Sequence, residues 1–135
     1  MKLLRLALTF VLALFSLSCS KTFIVFDEKS AESDRAHLVF ETTMGGGTLE
    51  AKSYNGQKVS WESSFAGTDV AIKAGETRLI FDGTVWQGGR GYFAKDLSID
   101  YNFEKGKTYY IFFDLVGFKF EYYITDENKN RLRSW

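Results

Sequence analysis

The chain has no proline, one cysteine (Cys19) and one histidine (His37) in 135 residues, and seventeen Lys and Arg balance seventeen Asp and Glu. Each scarcity removes a class of function. One Cys and one His cannot build a Cys/His zinc set or an intrachain disulfide, so no metal or other cofactor is expected, and His-dependent catalysis would rest on His37 alone. A net charge of zero supplies no basic excess for a phosphate backbone, so no nucleic-acid partner is expected. The longest apolar run, Leu6 to Leu17, would span about 18 Å as a helix against a hydrocarbon core of about 30 Å, too short for a permanent transmembrane anchor. The missing prolines suit a chain in which nearly every backbone N–H serves a sheet ladder.

What is present is apolar and aromatic: 45% hydrophobic and 17% aromatic residues, enough to offset chain entropy in one domain. Met1 to Arg5 is a short basic start, Leu6 to Leu17 an apolar stretch, and Ser16-Leu17-Ser18 a small-x-small run: the layout of an excised signal peptide. Residues 1–18 are therefore expected to be removed, leaving two more acids than bases in the mature chain. The lone Cys19 stands directly after Ser18, and an exported chain with one unpaired thiol carries a reactive liability that acylation would remove.

From Phe23 onward the leading signal is period-two alternation. In Leu97 to Glu104 every odd position is apolar and every even one polar, the pattern of a half-buried strand. Comparable runs are Phe23–Phe26, His37–Glu41, Leu49–Tyr54, Gln57–Ser63, Val70–Ile72, Thr77–Asp82, Thr108–Leu115, Phe118–Thr125 and a short Arg131–Trp135. Asn55-Gly56 is the strongest hairpin cue, because both central residues of a type I′ turn need positive φ. Glu104-Lys105-Gly106-Lys107 is expected to turn Leu97–Glu104 into a hairpin with Thr108–Leu115. No helical period follows the leader, and Glu28–Arg35, its one competitor, lacks an apolar face. The expected fold is an all-β antiparallel sandwich of about 8–10 strands, with a small closed β-barrel as the alternative.

Phe15-Ser16-Leu17-Ser18-Cys19 resembles the lipobox of bacterial envelope lipoproteins, although Ser16 stands where that box usually has Leu. The resemblance implies lipidation of Cys19, a tether over residues 19–22, one domain over residues 23–135, and membrane attachment through the lipid anchor. Ser20 in place of Asp implies the outer membrane under the enteric sorting rule. The Val70–Leu79 stretch and the Tyr54-Asn55-Gly56-Gln57 turn are similar to small envelope β-sandwich modules of the PEGA or carboxypeptidase-regulatory-like type.

Two places are candidates for binding. Gly83 to Phe93 reads as a glycine-rich loop bearing Trp86, Arg90 and Tyr92, residue types enriched at the energetic centres of interfaces, with their folding back as core lids as the alternative. Tyr109-Tyr110-Ile111-Phe112-Phe113 is apolar on both sides, so something must cover its outer face. If Leu132–Trp135 does, the run is a central strand; otherwise Tyr109, Ile111, Phe113 and Tyr123 form a patch for an envelope protein, a carbohydrate or a lipid. Met44-Gly45-Gly46-Gly47 reads as a connector. His37 reads as a structural strand residue, and Asp27/Glu28, Asp114 and Asp126/Glu127 as solvated turn acids. The expected function is a non-enzymatic, membrane-anchored binding or structural module. A carboxylate-dependent glycan hydrolase would need two acids converging in a deep cleft, and a carrier of a small apolar ligand would need a hollow lumen.

Overall fold

A computed structural model describes residues 23–42, 46–64 and 68–135; the leader, Cys19, the tether and Met44-Gly45 lie outside them. Ten strands are present: β1 (Phe23–Val25), β2 (Arg35–Thr42), β3 (Gly47–Tyr54), β4 (Gln57–Ser64), β5 (Thr68–Lys73), β6 (Gly75–Gln87), β7 (Arg90–Phe103), β8 (Thr108–Val116), β9 (Lys119–Thr125) and β10 (Arg131–Ser134). They form a six-stranded sheet, β1-β5-β2-β8-β9-β10, and a four-stranded sheet, β4-β3-β6-β7. The fold is a β-sandwich, and its sheets do not close into a barrel. Most pairs are antiparallel, as expected, and β1 with β5 and β2 with β8 run parallel. The only helical turn among the described residues is a single 3-10 turn, Glu32–Asp34.

The alternation seen in the sequence fixes which face of each strand is buried. On β8 the odd positions Tyr109, Ile111, Phe113 and Leu115 point inward, and on β6 Thr77, Leu79, Phe81 and Val85 do. Phe81 sits at the centre, with ring centroids 6.4 Å from Phe40, 6.3 Å from Phe113 and 5.6 Å from Tyr122, all edge to face. This is the arrangement that the quadrupoles of aromatic rings favour. Gly83 is required where the sheets come closest: a Cβ there would stand 2.3 Å from Phe113 Cζ, and Phe113 is wholly buried.

The Asn55-Gly56 hairpin is present, with φ of +47° and +78° and Tyr54 opposite Gln57. The Asn55 side chain also accepts from Arg78 N–H at 2.8 Å, fastening this turn to β6. The hairpin expected across Glu104–Lys107 is not. There the chain crosses from one sheet to the other, and β8 pairs with β2 and β9. The reason is that β7 and β8 both bury their odd face. Placed in opposite sheets, those faces meet across the core: Phe103 and Tyr109 lie 5.0 Å apart, edge to face. The crossing is tied down by Gly106 N–H to Arg35 O and His37 N–H to Lys107 O.

The crossings also orient the two sheets relative to each other. β5 passes to β6 through Ala74 alone, and β7 to β8 through four residues, so these strand ends share one end of the sandwich. That end also carries Asp27–Asp34, the Asn55-Gly56 turn and Asp126–Asn130. The opposite end carries the β6–β7 turn at Gly88-Gly89 and the β8–β9 turn at Gly117-Phe118.

Candidate functional site

The stretch from Gly83 to Phe93 is a strand hairpin, not a loop, which corrects the sequence expectation. Gln87 pairs with Arg90 across Gly88 (φ +57°) and Gly89 (φ +77°), so these glycines make a two-residue turn that requires positive φ at both positions. Trp86, Arg90 and Tyr92 do not converge. Trp86 pairs with Gly91 on the outer face, whereas Tyr92 pairs with Val85 on the inner face and packs against the core. Arg90 is exposed at the turn.

A bulge in β7 explains the mismatch. Phe81 pairs with Leu97 but Gly83 pairs with Ala94, so one extra residue is inserted in β7, and Asp96 adopts a positive φ of +54°. The strand's inward phase switches there from odd positions to even ones. The Asp82 carboxylate accepts the Asp96 N–H at 2.9 Å, and that bond, with help from Lys52, holds the carboxyl below its ordinary pKa. The phase switch turns Phe93 outward to 69% exposure beside Trp86, at 52%. Both rings crowd Gly91, where a Cβ would lie 3.2 Å from the Trp86 ring and 3.4 Å from Phe93. Phe93 is thus a surface aromatic that a loop reading of Gly83 to Phe93 does not single out.

The second candidate also divides. Tyr109, Ile111 and Phe113 are at most 3% exposed and belong to the core, so they form no surface patch. The outward residues are Tyr110 and Phe112, with Tyr123 stacked on Phe112 at 5.1 Å. Their cover is cationic. Lys129 Nζ lies 3.3 Å from the Tyr110 ring centroid, within reach of Glu41 at 3.7 Å, and the Arg131 guanidinium lies 3.7 Å from the Tyr123 ring. Trp135 does not cover this face; it stacks on Tyr122 at 5.4 Å and closes the edge of the core.

Of the acids considered for chemistry, Asp114, Asp126 and Glu127 have structural partners. Asp126 accepts both the backbone N–H and the side-chain amide of Asn130, which lowers its pKa, and Asp114 accepts Leu115 N–H. His37 sits on the outer side of β2 between Ala71 and Thr108, with its backbone bonded to Lys107. At the end that carries the sheet crossings lies an open cleft of about 800 Å³, lined by Asp27, Glu28, Lys29, Tyr54, Lys73 and Glu76 among others. A shallower one of about 440 Å³ lies beside Arg78 and Asp100. Among the described residues no group of three or more His, Cys, Asp or Glu is placed to hold a metal, and no helix is long and apolar enough to cross a membrane.

Five large apolar side chains are exposed among the described residues, and four of them, Trp86, Phe93, Val116 and Phe118, belong to the two hairpins that end together. No protein-family model, curated protein or solved structure matches this chain.

Proposed function

We propose that the protein is a lipid-anchored envelope module without enzymatic activity, held at a bilayer through Cys19. One observation carries the reading: the first strand begins at Phe23, four residues after a lone cysteine that directly follows a signal-peptide-like leader. Four residues reach at most about 14 Å when extended, so an acylated Cys19 would keep the sandwich against the membrane surface. At about 0.8 kcal/mol per buried CH₂, several acyl chains would make the attachment essentially permanent. A rigid sandwich with a filled core suits a structural or binding role. The space between the sheets is occupied by Phe81, Phe103 and Phe113, each at most 1% exposed.

The test is fractionation of cells expressing the full chain and Cys19→Ser, with and without globomycin. The proposal expects palmitate label and membrane partition for the unaltered chain, loss of both in Cys19→Ser, and accumulation of the unprocessed form under globomycin. An unlabelled, soluble native chain would overturn it.

A further inference from the structure

We propose that the end of the sandwich bearing the two hairpin turns rests on the lipid bilayer, with Trp86, Phe93, Val116 and Phe118 seated in its interfacial layer. This rests on the anchored reading above and adds which way the domain faces.

Three observations point the same way. The first is apolar exposure: Phe118 is 89% exposed at the β8–β9 turn and Phe93 69% exposed beside the β6–β7 turn, although both hairpins are firmly paired. Gly83 on β6 packs on Phe113 of β8, and each hairpin turns a few residues beyond that contact, so the tips project to similar heights. Exposed Trp and Phe side chains at one end of a rigid body are the kind of residue that seats a surface in the interfacial layer.

The second is charge. From Gly83 to Lys95 and from Leu115 to Phe120 there is no acid, Asp96, Asp114 and Glu121 standing just beyond, and Arg90, Lys95 and Lys119 supply three cations. The end that carries the sheet crossings has Asp27, Glu28, Glu32, Asp34, Glu104 and Glu127 mixed with its bases. Anionic headgroups would attract the first end and not the second.

The third is the path of the chain. β1 runs parallel to β5, which starts at the hairpin-tip end and finishes at the Ala74 crossing. Followed backwards from Val25 to Phe23, the chain therefore heads toward the aromatic tips. Phe23 is level with Asp69, hence with Val39 and Tyr110 in neighbouring strands. Cys19 stands four residues before Phe23, at most about 14 Å of chain. The chain thus enters the domain from the tip side, so an anchor at Cys19 does not require the domain to invert.

The test uses the acylated full chain in vesicles of phosphatidylethanolamine and phosphatidylglycerol. With Cys19 acylated, Phe93→Cys, Phe118→Cys, Gln57→Cys and Lys105→Cys each provide one thiol for an environment-sensitive fluorophore. All four sites are exposed, so labelling leaves the core intact. The proposal expects blue-shifted emission and several-fold stronger quenching by brominated lipid at positions 93 and 118 than at 57 and 105. Equal quenching at all four sites, or stronger quenching at 57 and 105, with acylation intact overturns the orientation alone. Tip labels that are quenched only weakly in vesicles yet shielded in native envelopes assign the tips to a partner protein and also overturn it. Recovery of unacylated, soluble protein overturns the anchor and the orientation with it.

Discussion

The two ends of the sandwich are built from the same kind of element, short turns between paired strands, yet they are finished differently. At the end where the chain crosses between sheets, polar groups satisfy one another. Asn55 holds β6, Glu104 N–H donates to Tyr109 Oη, Lys107 pairs with Glu104 at 2.8 Å, and Asp126 closes its own turn through Asn130. At the other end the turns are glycine pairs or Gly-Phe, and large apolar rings face outward with no such partners among the bonds described. A chain that folds only for stability would gain nothing from leaving Phe118 in water. The difference is one of finish: hydrogen-bonded polar turns at one end, and exposed apolar side chains, which the proposed orientation places at a membrane, at the other.

The contrast can be sharpened first at its foundation, the contact that sets both hairpins at the same height. Phe113→Ala should cost about 3–5 kcal/mol by emptying the centre of the core. Gly83→Ala should cost about 1–3 kcal/mol by driving a methyl into the Phe113 ring. In combination the two costs should fall well short of their sum, because the shortened side chain makes room for the methyl. Chemical denaturation of the unaltered chain and the three variants measures this, and full additivity would show that the residues do not touch.

Next comes the β6–β7 tip, where the bulge separates two aromatic neighbours. Tyr92→Ala should lower stability by about 1–2 kcal/mol, since Tyr92 packs on the core. Trp86→Ala and Phe93→Ala should each stay within about 0.5 kcal/mol, since both rings are mostly in solvent. A reversed order in thermal denaturation would mean that the inward phase of the strand is the other one.

The smallest effect is a pH dependence. The carboxyls of Asp82 and Asp126 titrate below their ordinary value because the folded state donates hydrogen bonds to them. The unfolded chain therefore binds protons first as pH falls, so this stabilisation is present above about pH 4 and fades as pH drops through the lower folded values. Asp82→Asn should flatten the acid limb of a stability profile slightly without moving the neutral plateau. An unchanged limb would remove Asp82 as the clamp of the bulge.

Much of this fold is readable in the residues, and what is not has a local cause. Every strand run in the sequence has its counterpart in the structure, because a buried face imposes alternation and Asn55-Gly56 imposes a turn. Pairing was harder to read. Glu104–Lys107 has the composition of a hairpin turn, but whether a turn stays in its sheet or crosses depends on which faces must meet, and both flanking strands bury odd positions. Tyr109 to Phe113 is apolar on both sides, so its residues alone do not say that Tyr109, Ile111 and Phe113 form the covered face. Phe93 was hidden by the inserted residue at Asp96, which no propensity marks. The cations over Tyr110 and Tyr123 come from beyond a turn, at Lys129 and Arg131, and only the folded register brings them there.

The proposed anchoring requires a modified amino terminus. The intact mass of the protein purified from native membranes decides it directly. A chain that begins at Cys19 and carries a diacylglycerol and an acyl group is the predicted result. A chain that still carries residues 1–18, or one that begins near residue 19 with an unmodified thiol, would contradict it.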